Sequence, residues 1–232
     1  MTTGSKGGIV VDVNRIRDSS SLVFDCDGVI LNSNAIKTQA FHQVALPFGV
    51  DHADSLVAHH LRNGGISRFE KFRYLADQIG VPQSDQIWVN RRCEEFARYV
   101  SEGLLSCEIA DGLAELRTLF PSKRWFVVSG GKESELREVF RQRGIADLFE
   151  GGIHGSPADK HTILARLKAE SGLLDGVFLG DSRFDHEAAI RANLDFVFVH
   201  GWTDLKDWKT YCLQNQIPAV ESLGDLARLC NE

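Results

Sequence analysis

Four short apolar runs, each followed by a helical pattern, constrain the fold of this chain more than any other feature. They are "SLVF" at 21–24, "WFVV" at 125–128, "GVFLG" at 176–180 and "DFVFVH" at 195–200. Apolar runs without polar alternation are typical of parallel strands that are covered on both faces. The chain therefore predicts a doubly wound α/β core, with its functional site at the carboxyl ends of the strands.

One further apolar run lies near the amino terminus. The stretch "IVVDV", residues 9–13, predicts an additional edge strand. The segments between the core strands are amphipathic instead, as in "ESELREVFRQRG" and "KHTILARLKAESG". Each of these two segments ends in a glycine, which is a common helix stop.

The interval between residues 35 and 107 breaks the strand–helix alternation, because it contains only helical patterns. Gly49, the pair Gly64 and Gly65, and Gly80 divide it into four amphipathic segments. A four-helix cap inserted between the first two core strands is the simplest interpretation. We therefore predict a cap domain over residues 34–106 and a core formed by residues 1–33 and 107–232.

Composition excludes several classes of protein. The formal net charge of -6 argues against a nucleic-acid-binding surface. No apolar run approaches the roughly 18 residues of a membrane helix, and no signal-peptide pattern opens the chain. The five cysteines are scattered without Cys-x-x-Cys spacing, so they predict neither a zinc site nor a disulfide framework. We expect a cytoplasmic protein that binds neither nucleic acid nor membrane.

The first strand ends in an unusual way, since "DCDG" follows "SLVF" directly. Asp25 and Asp27 are two residues apart, so an extended backbone points both carboxylates to the same side. They repel each other unless a cation neutralises them, and Mg²⁺ favours one or two carboxylates together with phosphate oxygens. An aspartate can also act as a covalent nucleophile toward a phosphoryl group.

Polar residues follow the other predicted strands as well. Ser129, in "VVSGG", offers a hydroxyl group, and the backbone amide of Gly130 beside it is available to a phosphate. Lys160, in "GSPADK", lies at the start of a helix. Asp181 ends the strand "GVFLG", and Asp185 follows four residues later.

These motifs, in this order, resemble those of the haloacid dehalogenase-like superfamily of phosphotransferases. "FDCDGVILNSN" is similar to the first motif, Ser129 to the second, Lys160 to the third and "GDSRFD" to the acidic fourth. The helical insertion is similar to that of the β-phosphoglucomutase and phosphoglycolate phosphatase-like branch. The dehalogenase branch lacks the second aspartate, so Asp27 favours phosphate chemistry.

The resemblance implies a role for each motif residue. Asp25 is the implied nucleophile, and Asp27 is the implied general acid and base, which protonates the leaving alcohol and then activates water. Ser129, Gly130 and Lys160 are the implied phosphate-binding residues.

The same resemblance implies a Mg²⁺ site. Its implied ligands are Asp25, the backbone carbonyl of Asp27, and Asp181, with Asp185 acting through bound water.

The cap contains one further similarity. "NGGISRFEKF" resembles a Gly-x-Ser-Arg segment in the caps of β-phosphoglucomutase-like proteins, which makes Arg68 and, more weakly, Lys71 candidate substrate contacts. In the alternative, purely structural interpretation, Ser67 caps a helix and Arg68 is exposed to solvent. The histidines show no spacing that points to a site. For residues 201–208, which follow the last strand, a structural turn is favoured over a segment that frames the far side of the site.

We therefore expect a Mg²⁺-dependent phosphatase that hydrolyses a small phosphorylated metabolite, such as a sugar phosphate, through an aspartyl-phosphate. Two alternatives stay open at this point. A sugar phosphomutase uses the same aspartates but returns the phosphoryl group to another hydroxyl. A non-catalytic protein would only bind a phosphorylated ligand.

Overall fold

A six-stranded parallel sheet forms the centre of the protein. The computed structural model describes residues 10–232, and its strands are β1 Ser21–Phe24, β2 Arg124–Lys132, β3 Gly152–Ser156, β4 Val177–Gly180, β5 Asp195–Val199 and β6 Ala219–Val220. Their order across the sheet is β3-β2-β1-β4-β5-β6, and every pairing is parallel.

The direction of strand addition reverses at β1. This strand pairs with β2 on one side and with β4 on the other, with Phe24 opposite both Val127 and Leu179. Loops leaving the carboxyl ends of strands on either side of such a reversal diverge, which leaves a crevice between them. The residues that follow β1 therefore lie at the position where an α/β sheet usually binds its ligand.

Helices cover both faces of the sheet, as the apolar runs predicted. The helices are α1 Val13–Asp18, α2 Asn34–Ala45, α3 Val50–Arg62, α4 Arg68–Gln78, α5 Gln86–Ser106, α6 Leu113–Leu119, α7 Glu133–Gln142, α8 Lys160–Glu170, α9 Arg183–Arg191, α10 Trp208–Asn215 and α11 Leu223–Asn231. No helix within residues 10–232 has both the length and the apolarity needed to cross a membrane.

Successive residues of β1 belong to the two different apolar cores. Val23 packs in a cluster with residues of α8, α9 and α10, whereas Leu22 and Phe24 pack in a cluster with residues of α6, α7 and α11. Side chains alternate across a strand, so an uninterrupted apolar run supplies both faces at once. The predicted doubly wound α/β fold is confirmed.

Five α-helices lie between β1 and β2, and the first four of them, α2 to α5, form the helical cap. An aromatic group holds them together: the ring centroids of Phe41 and Phe96 are 4.3 Å apart, and those of Phe41 and Phe72 are 5.5 Å apart. Such pairs add to the burial of their large apolar surface. The domain boundaries at residues 34 and 106 stay a prediction.

The predicted edge strand at residues 9–13 is wrong where the structure describes it, and residue 9 lies outside the described part. Residues 10–12 have no regular structure, and α1 begins at Val13. Asp12 explains the difference, because its carboxylate accepts a hydrogen bond from the Asn14 amide at 3.1 Å and caps the helix.

The sequence also failed to indicate two outer strands. β3 contains Gly152 and Gly155, which weaken any strand pattern. A Cβ at Gly155 would overlap the backbone oxygen of Gly131, so the close approach of the two chain segments requires glycine there. β6 is only two residues long.

Candidate active site

The chain turns sharply after β1 and exposes the two aspartates to the crevice. The Asp25 amide donates to the Leu179 carbonyl at 2.9 Å, which joins the end of β1 to β4. Gly28 has a φ of 77°, and a Cβ there would overlap the Asp181 carboxylate. Glycine thus lets the chain turn away immediately beside Asp181.

Three carboxylates from two strand ends meet at this edge of the sheet. Asp25, Asp181 and Asp185 each place a carboxylate oxygen within 4.8 Å of the other two. All three side chains are buried. Asp181 also accepts a hydrogen bond from the Asn34 side-chain amide at 2.9 Å, which fixes its orientation.

Lys160 is the cation of this cluster. It begins α8, is 1% exposed, and lies with its Nζ 2.8 Å from Asp25 Oδ1 while also pairing with Asp185 Oδ1. Burial alone would lower the pKa of Lys160, but the carboxylates of Asp185 and Asp25 outweigh it and raise the pKa. Lys160 is therefore held as an ammonium ion.

One ammonium ion does not balance three carboxylates. Burial raises the pKa of Asp25 to about 7, against the attraction of Lys160, and burial with the nearby Asp25 and Asp185 raises the pKa of Asp181 well above its ordinary value. Asp25 Oδ1 is in ion-pair contact with Lys160, and no other donor in residues 10–232 meets it. A buried cluster whose carboxylates outnumber its one ammonium ion has the composition of a site for a hard divalent cation.

Asp185 differs from the other two carboxylates because both of its oxygens are occupied. Its Oδ2 accepts from the backbone amide and hydroxyl of Ser182, and the Asp185 amide donates back to Ser182 Oγ at 3.2 Å. This reciprocal pair is a capping box at the start of α9. Asp185 thus positions Lys160 and the helix as well as adding negative charge.

Asp27 has separate partners, although it lines the same cavity as Asp25. Ser33 donates its hydroxyl to Asp27 Oδ1 at 2.6 Å, and the Lys37 ammonium pairs with Oδ2. Burial would raise the pKa of Asp27, but Lys37 and Ser33 hold it below its ordinary value. The two aspartates are therefore held in different protonation environments.

Lys37 is a site residue that the sequence analysis missed. It lies on the buried face of α2 together with Ala40, Phe41 and Val44. A lysine in register with an apolar helical stripe is the signal that could have identified it, because a solvated lysine belongs on the opposite face.

The predicted phosphate-binding residues of β2 lie at the same sheet edge. Ser129 is fully buried, and its hydroxyl accepts from the Gly131 amide at 3.1 Å. Gly130 lines the cavity, and a Cβ there would overlap the backbone oxygen of Gly65 in the cap. Their contact with a phosphate stays a prediction.

Both predicted cap contacts lie in the cavity and are buried rather than solvated. Arg68 pairs through Nη2 with Glu135 Oε2 at 2.7 Å, and its guanidinium lies 4.7 Å from the Phe96 ring centroid. Lys71 Nζ lies 2.6 Å from His60 Nδ1. Ser67 also caps α4, as the structural interpretation predicted, because its hydroxyl accepts a hydrogen bond from the Glu70 amide.

The cavity between core and cap has a volume of about 220 Å³. Core residues, cap residues and the loop after β5 share its lining, and Thr203, Asp204 and Leu205 belong to that loop. Thr203 donates its hydroxyl to the Asp181 carbonyl at 2.6 Å. Residues 203–205 therefore form part of the cavity wall, which agrees with the less favoured of the two interpretations of segment 201–208.

Comparison with known families gives a match over most of the chain. Residues 20–193 match the family described as "Hydrolase: haloacid dehalogenase-like hydrolase". No curated protein matches the sequence.

Several solved structures share the fold. A hydrolase from Pseudomonas syringae has a TM-score of 0.71 at 18% identity, covering 91% of this chain and 98% of that chain. A β-phosphoglucomutase from Clostridium difficile has a TM-score of 0.67 at 19% identity, covering 89% and 92%. A protein from Lactobacillus plantarum assigned as a phosphoglycolate phosphatase has a TM-score of 0.64 at 17% identity, covering 91% and 99%. At these identities the likeness concerns the fold.

Proposed function

This chain belongs to the haloacid dehalogenase-like hydrolase family, and from that premise we propose that it is a Mg²⁺-dependent phosphatase of a small phosphorylated metabolite, such as a sugar phosphate. The observation that carries the proposal is the environment of Asp25. This carboxylate is buried at a strand end, pairs with the Lys160 ammonium, and lies with one oxygen within 4.8 Å of oxygens of Asp181 and Asp185.

Asp25 is the proposed nucleophile. One of its carboxylate oxygens attacks phosphorus, the bond from phosphorus to the leaving alcohol breaks, and the aspartyl-phosphate that results is then hydrolysed. Lys160 binds the phosphoryl oxygens and offsets the charge of the cluster, with Ser129 and the Gly130 amide as further phosphate contacts. Because these groups are already fixed by burial and hydrogen bonds, they need little reorganisation during the reaction.

Asp27 is the proposed general acid and base. Its pairing with Lys37 favours the ionised carboxylate, which is the form that removes a proton from the hydrolytic water. In the first half-reaction Asp27 has to carry a proton for the leaving alcohol. A phosphate dianion bound beside it raises its pKa and so favours that form.

The acidic cluster fits Mg²⁺, which prefers oxygen ligands. Asp25 and Asp181 would hold the ion together with the Asp27 backbone carbonyl. Asp185 would contribute its negative charge without contacting the ion directly. When bound, the ion supplies positive charge to the phosphoryl oxygens.

Hydrolysis of p-nitrophenyl phosphate tests the proposal. We expect turnover with Mg²⁺, loss of turnover in EDTA, and a loss of at least about a thousandfold in kcat for Asp25→Asn. Asp111→Asn is the matched control and should keep its activity, because it changes an exposed aspartate of the α/β core domain that does not line the cavity. Activity that survives Asp25→Asn or EDTA would reject this mechanism.

A phosphomutase is the second candidate, and the presence of Arg68 and Lys71 in the cavity favours it. A mutase has to hold the far end of a phosphorylated sugar while the phosphoryl group moves. Product analysis separates the two functions, because a phosphatase accumulates inorganic phosphate and a mutase accumulates an isomeric sugar phosphate. Binding of phosphorylated compounds without turnover would instead indicate a binding protein.

A further inference from the structure

Lys71 is a buried basic residue without a carboxylate partner among the described residues. It is 3% exposed, so its ammonium does not reach solvent in the way that most lysines do. Within residues 10–232 its hydrogen-bonding partner is His60 Nδ1, and no carboxylate lies within ion-pair distance. The Phe41 ring, 5.2 Å away, is its other neighbour. Buried charged groups are normally paired with an opposite charge, whereas Lys71 has no such partner among the described residues.

His60 adds a second donor beside Lys71. Burial, followed by the nearby Lys71 ammonium, lowers the pKa of His60 to about 2, so the ring is neutral. Its Nδ1 accepts from Lys71, and Nε2 therefore carries the ring hydrogen. His60 is 8% exposed, lines the cavity, and has no partner for Nε2 in the described part of the chain.

Two other buried cations of the cavity wall have carboxylate partners within residues 10–232. Arg68 pairs with Glu135, and Lys37 pairs with Asp27. The charges of Asp27 and Asp204, which also line the cavity, oppose the lowering of the Lys71 pKa, but both carboxylates lie beyond ion-pair distance of Lys71. Arg62 lines the cavity as well but is exposed to solvent, so among the described residues Lys71 is the buried basic side chain of the cap side that has no carboxylate partner.

Building on the proposed phosphatase or phosphomutase function, we propose that Lys71 and His60 form a second anion subsite. The substrate would carry, besides the phosphoryl group that reacts with Asp25, a carboxylate or a second phosphate at its other end. An ammonium and a ring N–H are both hydrogen-bond donors. They therefore bind an oxyanion, which accepts from both, more strongly than they bind a neutral hydroxyl group. Binding energy at this remote group also helps to hold the reacting phosphoryl group in place.

Matched pairs of compounds test the subsite by competition against p-nitrophenyl phosphate hydrolysis. Gluconate 6-phosphate and glucitol 6-phosphate differ by a carboxylate, and glucose 1,6-bisphosphate and glucose 6-phosphate differ by a phosphate. In the wild type we expect the anionic member of at least one pair to have an inhibition constant about tenfold or more below that of its partner. The pair that shows the difference identifies the anion.

Lys71→Met removes the charge while keeping an unbranched side chain. We expect it to raise the inhibition constant of the anionic member by about tenfold and that of the neutral member by less than about twofold. A merely structural role for Lys71 would affect both members equally. Lys206→Met, which removes an exposed lysine and the same charge from the chain, is the matched control and should preserve the wild-type ratio.

Wild-type inhibition constants that agree within about threefold in both pairs would overturn the subsite, whether or not Lys71→Met folds. So would a ratio that Lys71→Met leaves unchanged. Absence of p-nitrophenyl phosphate hydrolysis would count against the proposed function instead. Calorimetric titration of the same four compounds into the wild type then decides the subsite by the same ratios.

Discussion

The two sides of the cavity differ in how their charges are balanced. On the core side, Lys160 contacts two carboxylates, and the carboxylates outnumber the ammonium. On the cap side, Lys71 has a neutral imidazole as its polar partner among the described residues. The core side is therefore suited to a cation, and the cap side to an anion.

This difference teaches which part of the protein fixes the chemistry and which part selects the substrate. Core charges stabilise one another and fix a geometry for phosphoryl transfer. The cap charge is costly in the free protein and gains its counter-ion only when a ligand arrives. Removing a lysine from each side should consequently have opposite effects on stability.

Lys160→Met is expected to have the largest effect. It leaves Asp25 and Asp185 buried without their ammonium ion, and we expect the free energy of unfolding in EDTA to fall by about 3–5 kcal/mol. Urea denaturation measures this change. Lys168→Met on the same helix removes one hydrogen bond, to the Leu174 carbonyl, and should cost about 1 kcal/mol. Equal losses in the two variants would show that the core charges do not stabilise one another.

Gly130→Ala tests the contact between the two sides. Its new Cβ would overlap the backbone oxygen of Gly65, so the cap cannot approach the core as closely. A displacement of about 1 Å at a site of this kind can cost about a hundredfold in kcat/KM, and we expect a loss of that order. Steady-state kinetics with p-nitrophenyl phosphate provide the measurement.

Gly131→Ala is the control for that experiment. Its Cβ would meet the flexible side chain of Leu136, at 3.1 Å, rather than backbone. We expect a much smaller loss of kcat/KM than for Gly130→Ala. Similar losses would mean that cap approach does not control the reaction.

The pH dependence of stability tests the cap side. Burial, together with the nearby Lys37, lowers the pKa of Lys71 from 10.5 to about 7. Between these pH values the unfolded chain binds a proton that the folded protein lacks, so this lysine makes stability rise with pH, by at most about 1.4 kcal/mol per unit. Below the folded pKa, the burial cost is present in full.

Lys71→Met should therefore be more stable than the wild type near pH 6, and the advantage should shrink as the pH rises from about 7 to 9. Urea denaturation of both proteins across this range measures the difference. A difference that does not change with pH would show that the pKa of Lys71 is not lowered by burial without a counter-ion.

The core side could be predicted from the sequence because its geometry follows from the sheet. The carboxyl ends of neighbouring parallel strands meet at one edge, so a strand end rich in aspartate is brought beside another. Asp25 and Asp181 follow β1 and β4, which are neighbours, and the structure brings them together.

The cap side could be predicted only in part. The short similarity around Arg68 identified a segment that lines the cavity. It could not show that Glu135 pairs with this arginine and that Lys71 has no carboxylate partner. Lys37 and His60 were missed, because their positions depend on how each helix is rotated in the cap. Such rotation is set by tertiary packing, here around Phe41, rather than by a local motif.

Trapping of the phosphorylated intermediate tests the central claim most directly. Borohydride reduces an aspartyl-phosphate to an alcohol, and this change can be located by peptide mass spectrometry after quenching during turnover with p-nitrophenyl phosphate and Mg²⁺. We predict modification at Asp25 alone, with none in the absence of substrate. Modification at Asp27 or Asp181, or an active protein in which Asp25 is never modified, would contradict the assignment of Asp25 as the nucleophile.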